Sequence, residues 1–176
     1  MRLFIAVNFN NDVKNRIQKV QDELLSQVIS GNYTIRENLH LTLVFLGETP
    51  ENRIDVLIDI LKKFKFSAVK LNFKTTGFFK QKSKELWWLG IDQYDPEVIK
   101  FLKEQERLRH ELLTHQFSFD PKPLKVHITL ARQIVKIKPV FINFNNIFID
   151  VDRISLMKSE RIKGKLIYTE LFTVHC

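Results

Sequence analysis

The sequence predicts a single globular domain of mixed helices and strands, arranged as two similar lobes. A chain of 176 residues is of single-domain size. Hydrophobic residues make up 44% of it, including fifteen phenylalanines, so a core can form without disulfides. Amphipathic segments typical of helices alternate with β-branched and aromatic segments typical of strands. The order strand, helix, strand occurs twice, which indicates the two lobes.

Strands are predicted from short segments that are rich in β-branched and aromatic residues. Some of them alternate apolar and polar positions, as Val69, Leu71 and Phe73 do. No helix is expected after residue 140, and a turn at Gly164 is predicted before the last strand. The predicted strands are residues 2–9, 38–47, 68–79, 84–91, 125–132, 147–151, 154–157 and 166–173.

Three helices are predicted from apolar residues that recur at three- and four-residue spacing. The first is expected to begin at Asn11 and to end at Gly31. The second is expected to have Thr49 as its N-cap and Pro50 at its first helical position. The third is expected to open at the Asp-Pro-Glu sequence of residues 95–97.

The net charge of the chain indicates a polyanionic partner. Lys and Arg number 28 against 20 Asp and Glu, which gives a formal net charge of +8 and a pI near 9.6. Such an excess attracts polyanions such as nucleic acids. Several lysines crowd residues 62–84, either as part of a nucleic-acid surface or as ordinary solvated side chains.

The remaining composition favours a cytoplasmic protein. The single cysteine, Cys176, cannot form a disulfide within the chain, as expected in a reducing compartment. The apolar run at residues 3–7 is too short for a signal peptide, and no segment has the length of a membrane span. His110 and His115 lack the spacing of a helical metal-binding pair. No cysteine cluster, carboxylate cluster or glycine-rich loop indicates a zinc or nucleoside triphosphate site.

Two short motifs stand at equivalent positions of the duplication. His40-Leu41-Thr42-Leu43 and His127-Ile128-Thr129-Leu130 share the pattern His, aliphatic, Thr, Leu. The histidines are 87 positions apart, and the strands at Leu3 and Trp87 are offset by 84. Nearly equal offsets indicate two copies of one supersecondary unit. The chain is therefore predicted to form one bilobal domain over residues 1–176, with units at about 1–80 and 84–176.

Strand periodicity places the polar residues of each motif on one face, since alternate side chains of a strand point to the same side. The intervening Leu41 and Ile128 are then predicted to be buried. A face that offers two imidazoles suits phosphodiester chemistry without a metal ion. One imidazole takes a proton from the attacking oxygen, and the other gives a proton to the leaving oxygen. The threonine hydroxyls can donate hydrogen bonds to the phosphoryl oxygens.

These motifs and their flanks resemble the 2H phosphoesterases, which are named for two His-x-Thr-x motifs. Within that superfamily, the sequence resembles the bacterial and archaeal RNA 2′,3′-cyclic phosphodiesterases, formerly called 2′-5′ RNA ligases. The resemblance covers essentially the whole chain. The family usually has proline directly before the second histidine, where this sequence has Val126. The matching segments are residues 2–7, 37–48, 86–90, 127–132 and 155–159, followed by Gly164 and Tyr168.

The resemblance implies an α+β fold, with two similar lobes whose antiparallel sheets line a central cleft and whose helices lie outside. It implies hydrolysis of RNA 2′,3′-cyclic phosphodiester ends to 2′-phosphomonoesters, with weak 2′-5′ ligation as the reverse reaction. His40 would be the proton donor and His127 the proton acceptor. Thr42, Thr129 and Arg132 would bind the phosphate. The expectation is a monomer without metal or cofactor that acts on RNA ends or small cyclic nucleotides.

Two other functions fit part of the same observations. A related 2H enzyme would act on another phosphodiester, such as ADP-ribose cyclic phosphate or a 2′-5′ oligoadenylate. A non-catalytic RNA-binding module would use the basic surface alone. Trp87 and Trp88 are candidates for base stacking, but adjacent strand residues face opposite sides, so at least one of them is expected in the core.

Overall fold

The computed structural model describes residues 1–175, so Cys176 and the prediction made for it lie outside the described part. Within residues 1–175 the chain forms three α-helices and nine strands. The helices are α1 (Asn11–Leu25), α2 (Ile54–Lys63) and α3 (Pro96–Thr114). The strands are β1 (Arg2–Asn8), β2 (Ser30–Tyr33), β3 (His40–Glu48), β4 (Val69–Gln81), β5 (Lys84–Ile91), β6 (His127–Val135), β7 (Ile147–Val151), β8 (Arg153–Ile162) and β9 (Lys165–His175).

The strands form two sheets in which every neighbouring pair is antiparallel. Sheet A has the strand order β3-β1-β8-β9, and sheet B has the order β2-β6-β5-β4-β7. The helices pack against these sheets, α1 on β6 and β7, α3 on β3 and β4. The predicted α+β fold with antiparallel sheets is therefore confirmed.

Both sheets combine strands from the two halves of the chain. Sheet A joins β1 and β3 to β8 and β9, and sheet B joins β2 and β4 to β5, β6 and β7. The units predicted at about 1–80 and 84–176 therefore do not correspond to one sheet each. The internal duplication with these bounds stays a prediction.

The first helix is shorter than predicted, and a strand follows it. α1 ends at Leu25, whereas Gly31 was expected to end it. Gly31 instead lies in β2, which pairs with β6. A Cβ at Gly31 would come within 2.2 Å of the Ile134 side chain, so glycine permits the close approach of the two strands. The glycine signals strand packing here and not a helix end.

The predicted start of the second helix is wrong. Residues 51–53 form a 3₁₀ turn, and α2 begins only at Ile54. Thr49 does not cap this helix: its hydroxyl donates to the Gly47 carbonyl at 3.4 Å, and its backbone pairs with Met1. The Thr49 N–H donates to the Met1 carbonyl at 2.8 Å, and the Met1 amino group donates to the Thr49 carbonyl at 2.8 Å. This long-range pairing prevails over the local capping signal.

The start of the third helix is confirmed. The Asp95 side chain accepts a hydrogen bond from the Glu97 N–H at 2.9 Å, and Pro96 occupies the first turn. The absence of a helix after residue 140 is likewise confirmed for the described residues. The turn at Gly164 is present, with a positive φ of 80° that suits glycine.

The motif strands have the predicted alternation. Leu41 and Ile128 are both 0% exposed and belong to the main hydrophobic core. On β1, Leu3, Ile5 and Val7 point into the same core. The opposite face of each motif strand, which carries histidine and threonine, is therefore left to line a site.

Two buried glutamines tie a helix to each histidine-bearing strand. Gln21 of α1 donates from Nε2 to the carbonyls of Leu130 at 2.8 Å and Thr34 at 2.9 Å. Gln105 of α3 donates from Nε2 to the carbonyl of Leu43 at 2.9 Å. Each leucine is the third residue after its motif histidine, and the glutamines are 84 positions apart, the same offset as the strands at Leu3 and Trp87. The helix of each half thus supports the histidine strand of the other half.

Candidate active site

A cleft of about 700 Å³ lies where β3 of sheet A approaches β6 of sheet B. All five residues singled out in the sequence line it: His40, Thr42, His127, Thr129 and Arg132. The two motif strands begin at their histidines, so both imidazoles lie at strand ends, where they reach the cleft. Side-chain alternation turns the threonines to the same side as the histidines.

Both imidazoles are held by the same contact. His40 Nδ1 is 2.7 Å from the Asn38 carbonyl, and His127 Nδ1 is 2.7 Å from the Lys125 carbonyl. A carbonyl oxygen only accepts, so Nδ1 carries the hydrogen in both rings. This assigns the tautomer and leaves Nε2 of each ring as the nitrogen available for proton transfer.

The two Nε2 atoms differ in their partners. His40 Nε2 is 2.8 Å from Thr42 Oγ1, and the hydroxyl donates to it when the ring is neutral. His127 Nε2 has no hydrogen-bond partner among the described residues. The lone pair of His127 is therefore open to a water molecule or a substrate.

Burial favours the neutral form of both rings. Burial lowers the pKa of His40 to about 4, and the positive charge of Arg132 acts in the same direction. Burial also lowers the pKa of His127, again with Arg132 adding to the effect. Both histidines are consequently neutral at neutral pH in the free protein. An anion bound in the cleft opposes this effect, because a nearby negative charge raises the pKa of an imidazole.

An aromatic wall encloses His40. The Phe4 ring centroid is 5.0 Å and the Tyr168 ring centroid 5.2 Å from the His40 ring, the latter edge to face. Asn38 fixes this wall, since its Nδ2 donates to the Leu166 carbonyl at 2.8 Å and its Oδ1 accepts from the Tyr168 N–H at 3.2 Å. One residue thus holds both the His40 tautomer and the strand that carries Tyr168.

Sequence reasoning missed Phe4 and Asn38 as parts of the site and gave Tyr168 no role in it. A signal for Phe4 exists in the alternation of β1, because Leu3, Ile5 and Val7 point into the core and Phe4 points the other way. The position of Tyr168 beside His40 depends on the register of β8 with β9, which no local pattern encodes.

Cations outnumber anions around the cleft. Arg2, Arg132, Lys158 and Arg161 line it together with two carboxylates. One carboxylate, Glu160, pairs with Lys158 at 2.7 Å. The lysines of residues 62–84 do not line it, so the positive field at the cleft comes from other residues. This charge suits a phosphate group.

The other histidine-bearing regions lack these features. A cavity of about 900 Å³ between α2 and α3 is lined by His110, four apolar side chains and six charged ones, but by no motif residue. His115 lies at the end of α3, where its Nδ1 is near the Glu111 carbonyl. Within residues 1–175, no three His, Cys, Asp or Glu side chains cluster as metal ligands do. No helix of this part is both long and apolar enough to cross a membrane.

Comparison with known sequences identifies a family profile that matches part of the chain and relatives that match nearly all of it. A sequence profile described as "LigT like Phosphoesterase" matches residues 7–88. An RNA 2′,3′-cyclic phosphodiesterase of Thermotoga maritima is 34% identical over 98% of this chain and 94% of its own. Another, from Thermus thermophilus, is 30% identical over 97% of this chain and 88% of its own.

Known structures share the fold. A crystal structure of a phosphoesterase has a TM-score of 0.83 at 22% identity and covers 99% of this chain and 97% of that one. E. coli LigT complexed with 3′-AMP has a TM-score of 0.83 at 23% identity, with the same coverage. The fold agrees with the sequence matches, which span nearly the whole chain in relatives of similar length. The chain therefore belongs to the LigT-like phosphoesterases, a family of the 2H superfamily.

Proposed function

We propose that this protein hydrolyses RNA 2′,3′-cyclic phosphodiester ends to 2′-phosphomonoesters by acid–base catalysis between His40 and His127. The observation that carries the proposal is the pair of imidazoles in one cleft, each with Nδ1 bonded to a carbonyl and Nε2 left for chemistry. The names and high coverage of the Thermotoga maritima and Thermus thermophilus relatives support the substrate class.

In this mechanism His127 is the proton acceptor. Its Nε2 lone pair, which has no partner among the described residues, takes a proton from a water molecule as the water oxygen attacks phosphorus. The bond between phosphorus and the ribose 3′ oxygen breaks. His40 protonates that oxygen from Nε2, so the phosphate remains on the 2′ oxygen. The protons then re-equilibrate with solvent.

Thr42, Thr129 and Arg132 stabilise the charge that develops on the phosphoryl oxygens. The threonines lie on the same strand faces as the histidines, and all three side chains line the cleft. Arg132 contributes a permanent positive charge there. Because this charge lowers the pKa of both imidazoles in the free protein, the bound phosphate must compensate it for His40 to become protonated.

The decisive experiment is hydrolysis of an oligonucleotide that ends in a 2′,3′-cyclic phosphate, by purified protein in EDTA. A 2′-phosphomonoester is the expected product. A 3′-phosphomonoester would contradict the assignment of the leaving oxygen, and loss of activity in EDTA would contradict a metal-independent reaction. Faster turnover of ADP-ribose cyclic phosphate or 2′-5′ oligoadenylate would identify another 2H enzyme. Binding of RNA without any hydrolysis would identify an RNA-binding module.

The proposal includes a monomer that acts on RNA ends or small cyclic nucleotides in the cytoplasm. One chain supplies all five residues of the site, so no second subunit is needed for the chemistry. The net charge of +8 favours binding of RNA as a polyanion. Size-exclusion chromatography with light scattering tests the monomer, and fractionation of cells tests the location.

A further inference from the structure

The face of sheet B that carries His127 continues into an aromatic surface that the proposed mechanism does not use. On β5, Trp88 is the cross-strand partner of Thr129, and Gly90 is the partner of His127. Cross-strand partners share a face, so the Trp88 indole lies on the same side as the second motif. Trp87, by contrast, is only 4% exposed and belongs to the core.

The backbone beneath Trp88 is shaped to let the indole lie flat. A Cβ at Gly77 on β4 would be 2.4 Å from indole Cζ2, and one at Gly90 would be 2.5 Å from Cζ3. Any side chain at either position would lift the ring from the sheet. The chain has only five glycines, and two of them lie under this one ring. The indole is half-buried, and its Nε1 is buried without a hydrogen-bond partner among the described residues. The face that points away from the two glycines is the one that a ligand could reach.

Two neighbours extend this surface toward the catalytic cleft. The Phe79 ring centroid is 5.6 Å from that of Trp88 and 5.5 Å from that of His127. The exposed Lys125 places its ammonium 4.5 Å from the Trp88 centroid and 4.8 Å from the Phe79 centroid. The rings thus attract a cation at their outer faces in the free protein. A stacked ligand would replace this exposed side chain without unfolding any element.

We propose that Trp88 and Phe79 form the binding subsite for the nucleobase of the nucleotide whose cyclic phosphate lies between His40 and His127. The inference rests on the proposed function. Its first basis is that Phe79 contacts the His127 ring and joins it to Trp88. The second is that the base of a nucleoside cyclic phosphate is attached to the same ribose as the reacting phosphate, so the base must lie near the histidines. Every base has a π face, so stacking here binds all four bases with weak selectivity.

The kinetic test uses adenosine 2′,3′-cyclic phosphate and a matched substrate without a base, methyl riboside 2′,3′-cyclic phosphate. Stacking of one base contributes roughly 5- to 150-fold in binding. Trp88→Leu should reduce the ratio of kcat/KM between the two substrates by that factor, through KM of the adenosine substrate. Trp87→Phe, which changes the buried neighbour, is the matched control and should keep the wild-type ratio. An unchanged ratio in Trp88→Leu would overturn the subsite.

A second test measures binding by fluorescence and does not depend on whether the ligand is hydrolysed. The chain has two tryptophans, so Trp87→Phe leaves Trp88 as the single indole fluorophore and Trp88→Phe leaves Trp87. Adenosine 2′,3′-cyclic phosphate should quench the emission of Trp87→Phe and leave that of Trp88→Phe unchanged. Absence of quenching in Trp87→Phe would overturn the subsite. Quenching without hydrolysis would retain the subsite and overturn the proposed function, so the two failures are distinguishable.

Discussion

The two histidines occupy equivalent backbone positions in unequal surroundings. Each has its Nδ1 2.7 Å from the carbonyl two residues earlier in the chain. Around His40, Thr42 bonds to Nε2, and the rings of Phe4 and Tyr168 pack against the imidazole. Around His127, Nε2 has no partner in the described part of the chain, and one aromatic ring, that of Phe79, lies edge to face with it.

This difference supports the proposal that two like motifs take different chemical roles. The shared carbonyl contact sets the same tautomer in both rings, so Nε2 is the reactive atom in each. An open lone pair, as at His127, suits a proton acceptor. The enclosed His40, whose pKa burial lowers to about 4, can act as the acid once the negative charge of a bound phosphate raises that pKa and the ring takes a proton from solvent. The resemblance implies the same two roles by motif position, and the unequal surroundings support that proposal.

Removal of either histidine tests whether the two act as one unit. His40→Ala and His127→Ala should each lower kcat by about 10²–10⁴-fold, since the loss of acid or base stalls the same step. The double variant should be little worse than the more damaged single variant. Circular dichroism should report an intact fold in all three. Rates near wild type in either single variant would refute the shared mechanism.

The threonines test the asymmetry directly. Thr42→Val and Thr129→Val should each lower kcat/KM by about 10- to 100-fold, the value of a hydrogen bond to a charged group. Thr42→Val also removes the hydroxyl that donates to neutral His40, so the pKa of His40 should rise and the acid limb of the pH profile should move to higher pH. Thr129→Val should leave the profile in place. Equal pH profiles for the two variants would contradict the difference between the surroundings of His40 and His127.

The pH dependence of kcat/KM, which reports the free protein, tests the effect of burial. The proposed mechanism requires protonated His40 and neutral His127. Because the pKa of His40 falls to about 4 and that of His127 falls below its usual value, the bell-shaped profile should lie on the acid side of neutrality. The profile of kcat should lie at higher pH, since bound phosphate favours protonation. A kcat/KM maximum above pH 8 would contradict this account.

The glutamine supports give the smallest expected effect, on stability. Gln21→Leu removes two buried hydrogen bonds and Gln105→Leu removes one, each worth about 1 kcal/mol. The free energy of unfolding, measured in urea, should therefore fall more in Gln21→Leu than in Gln105→Leu. A larger loss of unfolding free energy in Gln105→Leu would show that the number of hydrogen bonds does not determine how much each glutamine stabilises the fold.

The sequence predicted those features that depend on local periodicity. The burial of Leu41 and Ile128 follows from strand alternation alone, and both are fully buried. The N-cap of α3 at Asp95 depends on a local hydrogen bond and is also present. By contrast, the contact of Thr49 with Met1 joins distant parts of the chain, and no local signal reveals it.

The same distinction applies to the site. The two motifs were recognisable because each lies within four consecutive residues. The wall of Phe4 and Tyr168 depends on two strands from opposite ends of the chain meeting beside His40. The sequence did not decide whether Trp88 lies in the core or at the surface. Its ring lies against Gly90 of its own strand and Gly77 of β4, and Gly77 reaches it only through the pairing of β4 with β5.

The central position of β1 in sheet A has a consequence for synthesis of the protein. β1 is made well before one of its two neighbours, β8, which begins only at Arg153. In the folded chain Leu3 of β1 pairs with Lys158 of β8. Until β8 is made, one edge of a strongly apolar strand has no hydrogen-bonding partner on the ribosome-bound chain. Pairing over such a sequence distance is also slow. A chain that stops before Arg153 would expose this edge permanently and would tend to associate with other chains.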